Sequence, residues 1–149
     1  MSFRCGLSVL AVLAVAGCQG TPDPSSNSTQ AIVESVAAQH PECVRLSVHA
    51  VPPAGGDYRA VASTSPAKLG TPSDKEDLDA MKSGQTLVLD EPGAIDVTVP
   101  ILSKDGRWTA TCGVTVKAGP GADRAALVVN AKAIAASVET AILAASNGM

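Results

Sequence analysis

The sequence predicts an α+β domain, one antiparallel sheet of five strands with a helix at either end of the chain. Three observations carry that reading. Apolar and polar residues alternate over 44–51, 95–102 and 108–117, as in half-buried strands, with shorter strand-like runs at 58–64 and 86–89. Turn signals join the strands in pairs, which favours antiparallel neighbours: residues 52–57 (PPAGGD), Asp90-Glu91-Pro92-Gly93 and Lys104-Asp105-Gly106. Helical periodicity brackets the strands at 30–39 and 123–145.

The chain has 149 residues, the length of one domain. Its first part reads as an export signal. Arg4 supplies a positive start, and residues 7–16 form an apolar stretch too short to span a bilayer. Val15-Ala16-Gly17-Cys18 resembles the lipobox of bacterial lipoproteins, which implies a signal peptide at 1–17 and a diacylated Cys18 as the new N-terminus. The bland alternative is an ordinary signal cut near Ala16 or Gly17. Gln19 stands where an aspartate would favour inner-membrane retention, so the outer membrane is preferred. Acyl chains hold a protein at a bilayer without a spanning helix. No later segment is expected to span. The protein would then be lipid-anchored in the cell envelope, facing the periplasm.

Residues 18–30 carry no large apolar side chain and read as a tether. The domain is placed at 31–147. Loss of Arg4 with the leader leaves ten basic against fourteen acidic residues, a net charge of −4. Past the leader the only aromatics are Tyr58 and Trp108. An acidic surface with two aromatics is poor equipment for nucleic acid, which calls for basic patches and stacking platforms.

The first helix has Ile32, Val33, Val36 and Ala37 on one face, Ser28 or Thr29 as its cap and Pro41 as its stop. After two strands, Ser65-Pro66, Gly70 and Pro72 break the chain. Ser73-Asp74-Lys75-Glu76 matches a capping box, and the short helix it opens has Leu78 and Met81 as its inward pair. Gly84 ends it as a C′ glycine. Three strands follow. Pro100 lacks a ladder donor, so its end of the strand lies at an edge or bulge. The last helix carries a stripe of Leu127, Ala131, Ile134, Val138, Ala141 and Ala145. It covers its own sheet or pairs with a second copy.

Strand parity sorts the sheet into two faces. Val44, Leu46, Val48, Ile95, Val97, Val99, Ala110, Cys112, Val114 and Val116 share one, assigned to the core, with Trp108 in phase. Arg45, Ser47, His49, Arg59, Ser63, Asp96, Thr98, Thr109, Thr111 and Thr115 share the other. That polar face is either solvated or the floor of a pocket roofed by residues 65–84. As a floor, Arg45, His49, Arg59, Ser63, Asp96, Thr98 and Thr111 are the ligand candidates, suited to a small carboxylate or amino acid. A slip of one residue in register exchanges the two faces.

Catalysis finds little support. The histidines are His40 and His49, and neither a nucleophile elbow nor a phosphate loop is present. Asp74, Glu76, Asp77 and Asp79 are accounted for by a helix start and a solvated face. His40, Cys43, His49 and Cys112 lack the tight spacing of a zinc site beyond His40-x-x-Cys43, so neither metal nor cofactor is expected.

The order of elements resembles the PAS-like extracellular sensor modules called Cache domains. The likeness is carried by Val61-Ala62-Ser63-Thr64-Ser65-Pro66-Ala67-Lys68-Leu69-Gly70, then Ser73-Asp74, Asp77-Leu78 and Met81-Lys82-Ser83-Gly84. The resemblance implies a five-stranded sheet of order 2-1-5-4-3, with a ligand pocket between the sheet and the segment after the second strand. It also makes the first and fifth strands neighbours, which favours a Cys43–Cys112 disulfide in an exported protein. Parity opposes that bond unless Cys43 precedes the strand proper. Unlike such modules in receptors, this chain shows no signalling domain. Two functions follow as expectations: a lipoprotein that binds a small polar metabolite or modulates an envelope partner, or a structural adaptor without a ligand. Neither is an enzyme, and a homodimer is open to both.

Overall fold

The computed structural model describes residues 24–146, with side chains from residue 28. The leader and Cys18 lie outside the described residues. Helix α1 (Pro24–Ala38) leads into strands β1 (Cys43–Ala50) and β2 (Arg59–Ser63). Helix α2 (Lys75–Ser83) follows, then β3 (Leu87–Glu91), β4 (Ala94–Leu102), β5 (Trp108–Lys117) and helix α3 (Arg124–Ala145). The sheet has the order β2-β1-β5-β4-β3, and every neighbouring pair is antiparallel. This is the α+β architecture that the sequence predicts and the strand order that the resemblance implies.

Helices α1 and α3 lie on one face of the sheet and bury the aliphatic core. Val33, Leu46, Val97, Val114, Val116, Ile134 and Val138 are fully buried there. Each such side chain contributes about 1.5–3 kcal/mol on burial. Helix α1 starts six residues earlier than periodicity places it, inside the expected tether. Gln30 ties it to the edge strand. Its side-chain amide donates to the Ser63 carbonyl at 3.0 Å and its oxygen accepts the Ser63 amide at 2.9 Å. The pair imitates a ladder rung along an exposed edge. Helix α3 has the length and apolar composition to cross a membrane, contrary to the expectation that no segment past the leader has. Here it covers the core through Ala131, Ile134, Ala135 and Val138.

Register shifts at three places break strand parity. Between Cys43 and Arg45, Val44 bulges out and is 62% exposed, while Cys43 packs on the core. Opposite Val48 and His49, the shift leaves Val61 unpaired and turns Arg59 away from the polar face. Between Ile101 and Leu102, Thr109 is unpaired. Trp108 there leaves the core face to pack on Gly84, and Thr109 sits in a groove with Ile142. The amide of Leu102 donates to Glu139 at 2.9 Å, which satisfies a donor at the irregularity.

The expected Cys43–Cys112 disulfide is not formed, and both thiols are free. Cys43 pairs across the ladder with Val116 and Cys112 with Val48, so the register sets the two apart along the strands. Burial pushes both thiols above their ordinary pKa, which keeps them protonated. Pro100 is paired with Thr111 on β5 and lies beyond the end of the β3 ladder, where no donor is missed.

Candidate functional site

Helix α2 lies on the opposite face of the sheet, over β4 and β5. It starts after the loop that follows β2 and ends at Gly84, whose φ of 67° is a left-handed conformation that glycine adopts freely. Asp74, not Ser73, occupies the N-cap position, one residue on from the expected box. The Asp74 amide donates to Asp77 at 3.2 Å, the return arm of a capping box. Ser73 is thereby released, and its hydroxyl meets His49 Nδ1 at 2.9 Å.

The face that α2 turns inward carries an acid beside a small residue. Asp77 and Ala80 are its buried residues, whereas Leu78 and Met81, the expected inward pair, are only half-buried. Asp77 is 5% exposed. It accepts from the Thr111 hydroxyl at 3.1 Å and lies 3.2 Å from His49 Nδ1. Burial pushes the Asp77 carboxyl above its ordinary pKa, against the pull of His49 and Thr111. Burial likewise pushes the His49 imidazole below its ordinary value, although Asp77 pulls it up. Burial prevails for both, so His49 is neutral at pH 7 and the contact is a hydrogen bond, not a full ion pair.

Ser73, His49 and Asp77 are the residue types of a hydrolase triad. Both contacts nevertheless fall on the same ring nitrogen, Nδ1. A relay needs the hydroxyl on the nitrogen opposite the carboxylate. The arrangement fixes the ring and leaves Ser73 without a base across it.

A partly enclosed cavity of about 170 Å³ lies between α2 and the sheet. Arg45, Ser47, His49, Asp96, Thr98 and Gly113 form its floor, and Lys68, Asp74, Glu76 and Asp77 its roof, with Leu89 and Glu91 at one side. Of the predicted ligand residues, Arg45, His49, Asp96 and Thr98 reach it. Ser63 and Thr111 sit beside it in the sheet, where Ser63 bonds Ser47 at 2.8 Å and Thr111 bonds Asp77. Arg59 does not reach it. The bulge at Val61 turns its side chain out, and its Nε donates to the Asp57 carbonyl at 3.3 Å.

Arg45 lies between two acids, 3.5 Å from Glu91 and 3.8 Å from Asp96. Asp96 also accepts from Thr115 at 2.7 Å. Lys68 is 3.4 Å from Asp74. The ligand candidates omit Ser47, Lys68, Asp74, Glu76, Asp77, Leu89, Glu91 and Gly113, which also line the cavity. The sequence places Glu91 in a turn, yet β3 runs through it and the hairpin is the two residues Pro92-Gly93. The acids of α2 already had an explanation as helix-start charges. The signal available for Asp77 was that a roof over a polar floor needs a polar inner face. Among the described residues, no group of three His, Cys, Asp or Glu is arranged to hold a metal ion.

No protein-family model matches the chain, and no curated protein does. Solved structures are similar in fold. One is the GAF domain/HD domain protein from Geobacter sulfurreducens, at a TM-score of 0.58 and 13% identity over 83% of this chain and 93% of that one. Another is the GAF domain of the phosphoenolpyruvate-protein phosphotransferase from Acinetobacter, at 0.53 and 16% over 83% and 84%. A third is a double mutant of the PobR transcription factor inducer-binding domain from Acinetobacter, in complex with 3-hydroxybenzoic acid, at 0.52 and 11% over 79% and 97%. At these identities the likeness establishes the fold alone: an α+β domain of the PAS-like kind that GAF domains share.

Proposed function

We propose that this chain is a lipoprotein of the bacterial cell envelope, anchored through Cys18, whose PAS-like domain binds a small polar metabolite. The observation that carries the binding reading is the cavity beneath α2, where charged and hydroxyl side chains converge in a partly enclosed space. The inducer-binding neighbour, which holds a small aromatic acid in a similar fold, supports it. The finer assignment, to Cache-type extracellular modules, rests on the steps at 61–70 and 73–84. The outer membrane is preferred on Gln19. The domain acts by binding and not by catalysis, a reading favoured by the single shared nitrogen of His49.

A thermal-shift screen of the protein against amines, amino acids, carboxylates and neutral polyols tests the binding reading. A ligand at a hundredfold excess over its Kd stabilises by about 2.7 kcal/mol. Absence of any shift across the four classes refutes it. For the anchor, Cys18→Ala is expected to move the protein from the membrane to the soluble fraction, and unchanged fractionation defeats that part.

One observation favours the adaptor alternative. Val129 on α3 is 68% exposed, and Ile32, Val36 and Ala141 line an apolar groove between α1 and α3. Light scattering across a concentration series that shows a dimer lost on Val129→Glu would support it.

A further inference from the structure

The cavity is acidic, and that restricts its ligand. This inference rests on the binding reading above and deepens it. Five carboxylates line the space: Asp74, Glu76 and Asp77 from α2 and its cap, Glu91 from β3 and Asp96 from β4. Two cations face them, Arg45 from β1 and Lys68 from the loop before α2. Both are already engaged, Arg45 by Glu91 and Asp96, Lys68 by Asp74. By formal charge the acids exceed the cations by three around a neutral His49, with the charge of Asp77 partly suppressed by burial.

We propose that the ligand of this cavity carries a net positive charge, a small protonated aliphatic amine or diamine held between Asp96 and the acids of α2. Two further features fit an ammonium. Asp96 uses one oxygen for Thr115 and Arg45, and its second oxygen has no partner among the described residues. Thr98, 4% exposed, lines the cavity, and its hydroxyl likewise has no hydrogen-bond partner among the described residues. An ammonium brings the donors that these acceptors lack. A carboxylate ligand would need Arg45 or Lys68 to leave its acid, and would enter a field that repels it. In size the space suits a molecule of about benzene's bulk, since a cavity of about 150 Å³ accepts benzene. 1,4-Diaminobutane is of that size.

A proton linkage follows. A bound ammonium favours ionised Asp77, whose carboxyl burial holds above its ordinary pKa. Protonated His49 would repel it. Affinity for the amine therefore rises with pH from 5 to 7.5.

Calorimetry on the full-length protein, with 1,4-diaminobutane, ethylamine, glycine, succinate and glycerol as probes, tests the inference. The amines are expected to bind more tightly than glycine, and succinate not at all. Asp96→Asn and Glu76→Gln, the second on a half-buried helix position, are each expected to weaken the amine roughly tenfold. Arg45→Gln is expected to strengthen it, because a competing cation is removed. Tighter binding of glycine, succinate or glycerol than of the amines overturns the inference and leaves the binding reading standing. Binding of none of the probes overturns the inference, and failure of the wider four-class screen overturns the reading itself. Weaker amine binding in Arg45→Gln also overturns the inference.

Discussion

Gly84 joins the roof of the cavity to the sheet, and its replacement by alanine tests how tightly. The residue closes α2 with φ at 67°, and its amide donates to the Ala80 carbonyl at 2.9 Å. A side chain in that left-handed conformation costs about 1–2 kcal/mol. Loss of glycine's freedom in the unfolded chain returns about 0.4–1 kcal/mol. The backbone effect alone is therefore about 1 kcal/mol. The added Cβ would also stand 2.7 Å from Cε2 of Trp108 and 3.1 Å from Cζ2, with the indole nitrogen nearer still. The ring must swing away. Trp108 is 41% exposed, so it has room to do so, at the expense of its contact with the end of α2. That lost packing adds about 1–2 kcal/mol on the area scale. Gly84→Ala is then expected to destabilise by about 2–3 kcal/mol in urea titrations. Trp108 is the only tryptophan in the chain, so its emission reads the displacement directly and should shift to the red. In a Trp108→Ala background the same glycine substitution should cost only about 1 kcal/mol, a coupling of about 1–2 kcal/mol. Equal costs in the two backgrounds, or an unshifted emission maximum, would refute the contact as the cause.

The buried acid separates charge from hydrogen bonding. Asp77→Ala orphans the fully buried Thr111 hydroxyl and the Asp74 amide, and should destabilise by about 2–4 kcal/mol. Asp77→Asn keeps an acceptor for Thr111 and removes a buried charge, so chemical denaturation should place it within about 1 kcal/mol of wild type. His49 predicts a pH dependence. Its folded pKa lies below the ordinary 6.5, so the unfolded chain takes up protons first and stability falls as pH drops below that value. Asp77, raised above the ordinary 3.8, acts the other way and returns stability as pH falls through its folded pKa. Melting curves between pH 7.5 and 5.5 should show a decline that His49→Gln flattens, and a decline of equal slope in the variant rules out His49. Tyr58 carries a buried hydroxyl with no hydrogen-bond partner among the described residues, and burial raises its pKa. Tyr58→Phe removes that unsatisfied group and should leave stability unchanged or raise it by about 1 kcal/mol, where a loss above 1 kcal/mol in urea would reveal a partner.

Much of the fold was legible because alternation and turn chemistry agree in most strands. Leu46, Val48, Ile95, Val97, Cys112, Val114 and Val116 are buried where parity puts them. The failures are local. Val44, Arg59, Trp108 and Thr109 all sit at or beside the three register shifts, and parity counted through a bulge assigns the wrong face. A bulge adds one residue without marking the composition, so counting cannot find it. The floor was legible residue by residue, and the roof as the segment 65–84 without the side chains it turns inward. Arg45, His49, Asp96 and Thr98 follow from alternation. Asp77 does not, because an acid in the first turn of a helix is satisfied by the helix end itself and by water. Only the tertiary fact that α2 lies on a polar floor turns Asp77 inward.

The same fact explains why Leu78 and Met81 stay at the flank. An amphipathic helix normally lays its apolar side on the sheet. Over Ser47, His49, Thr98 and Thr111, an apolar inner face would strip water from hydroxyls and an imidazole without replacing their hydrogen bonds. Asp77 replaces two of those bonds, to Thr111 and to His49, and Ser73 supplies a second contact to His49. Helix α2 is therefore docked by polar contacts at its N-terminal end and by the Gly84–Trp108 contact at its C-terminal end. Between β1, β3 and β4 no such plug fills the floor, and the cavity begins where Asp77 stops. A roof held by a buried acid cannot dispose of its charge by moving into water. The charge is partly suppressed by burial and is best relieved by a cation that enters beside it.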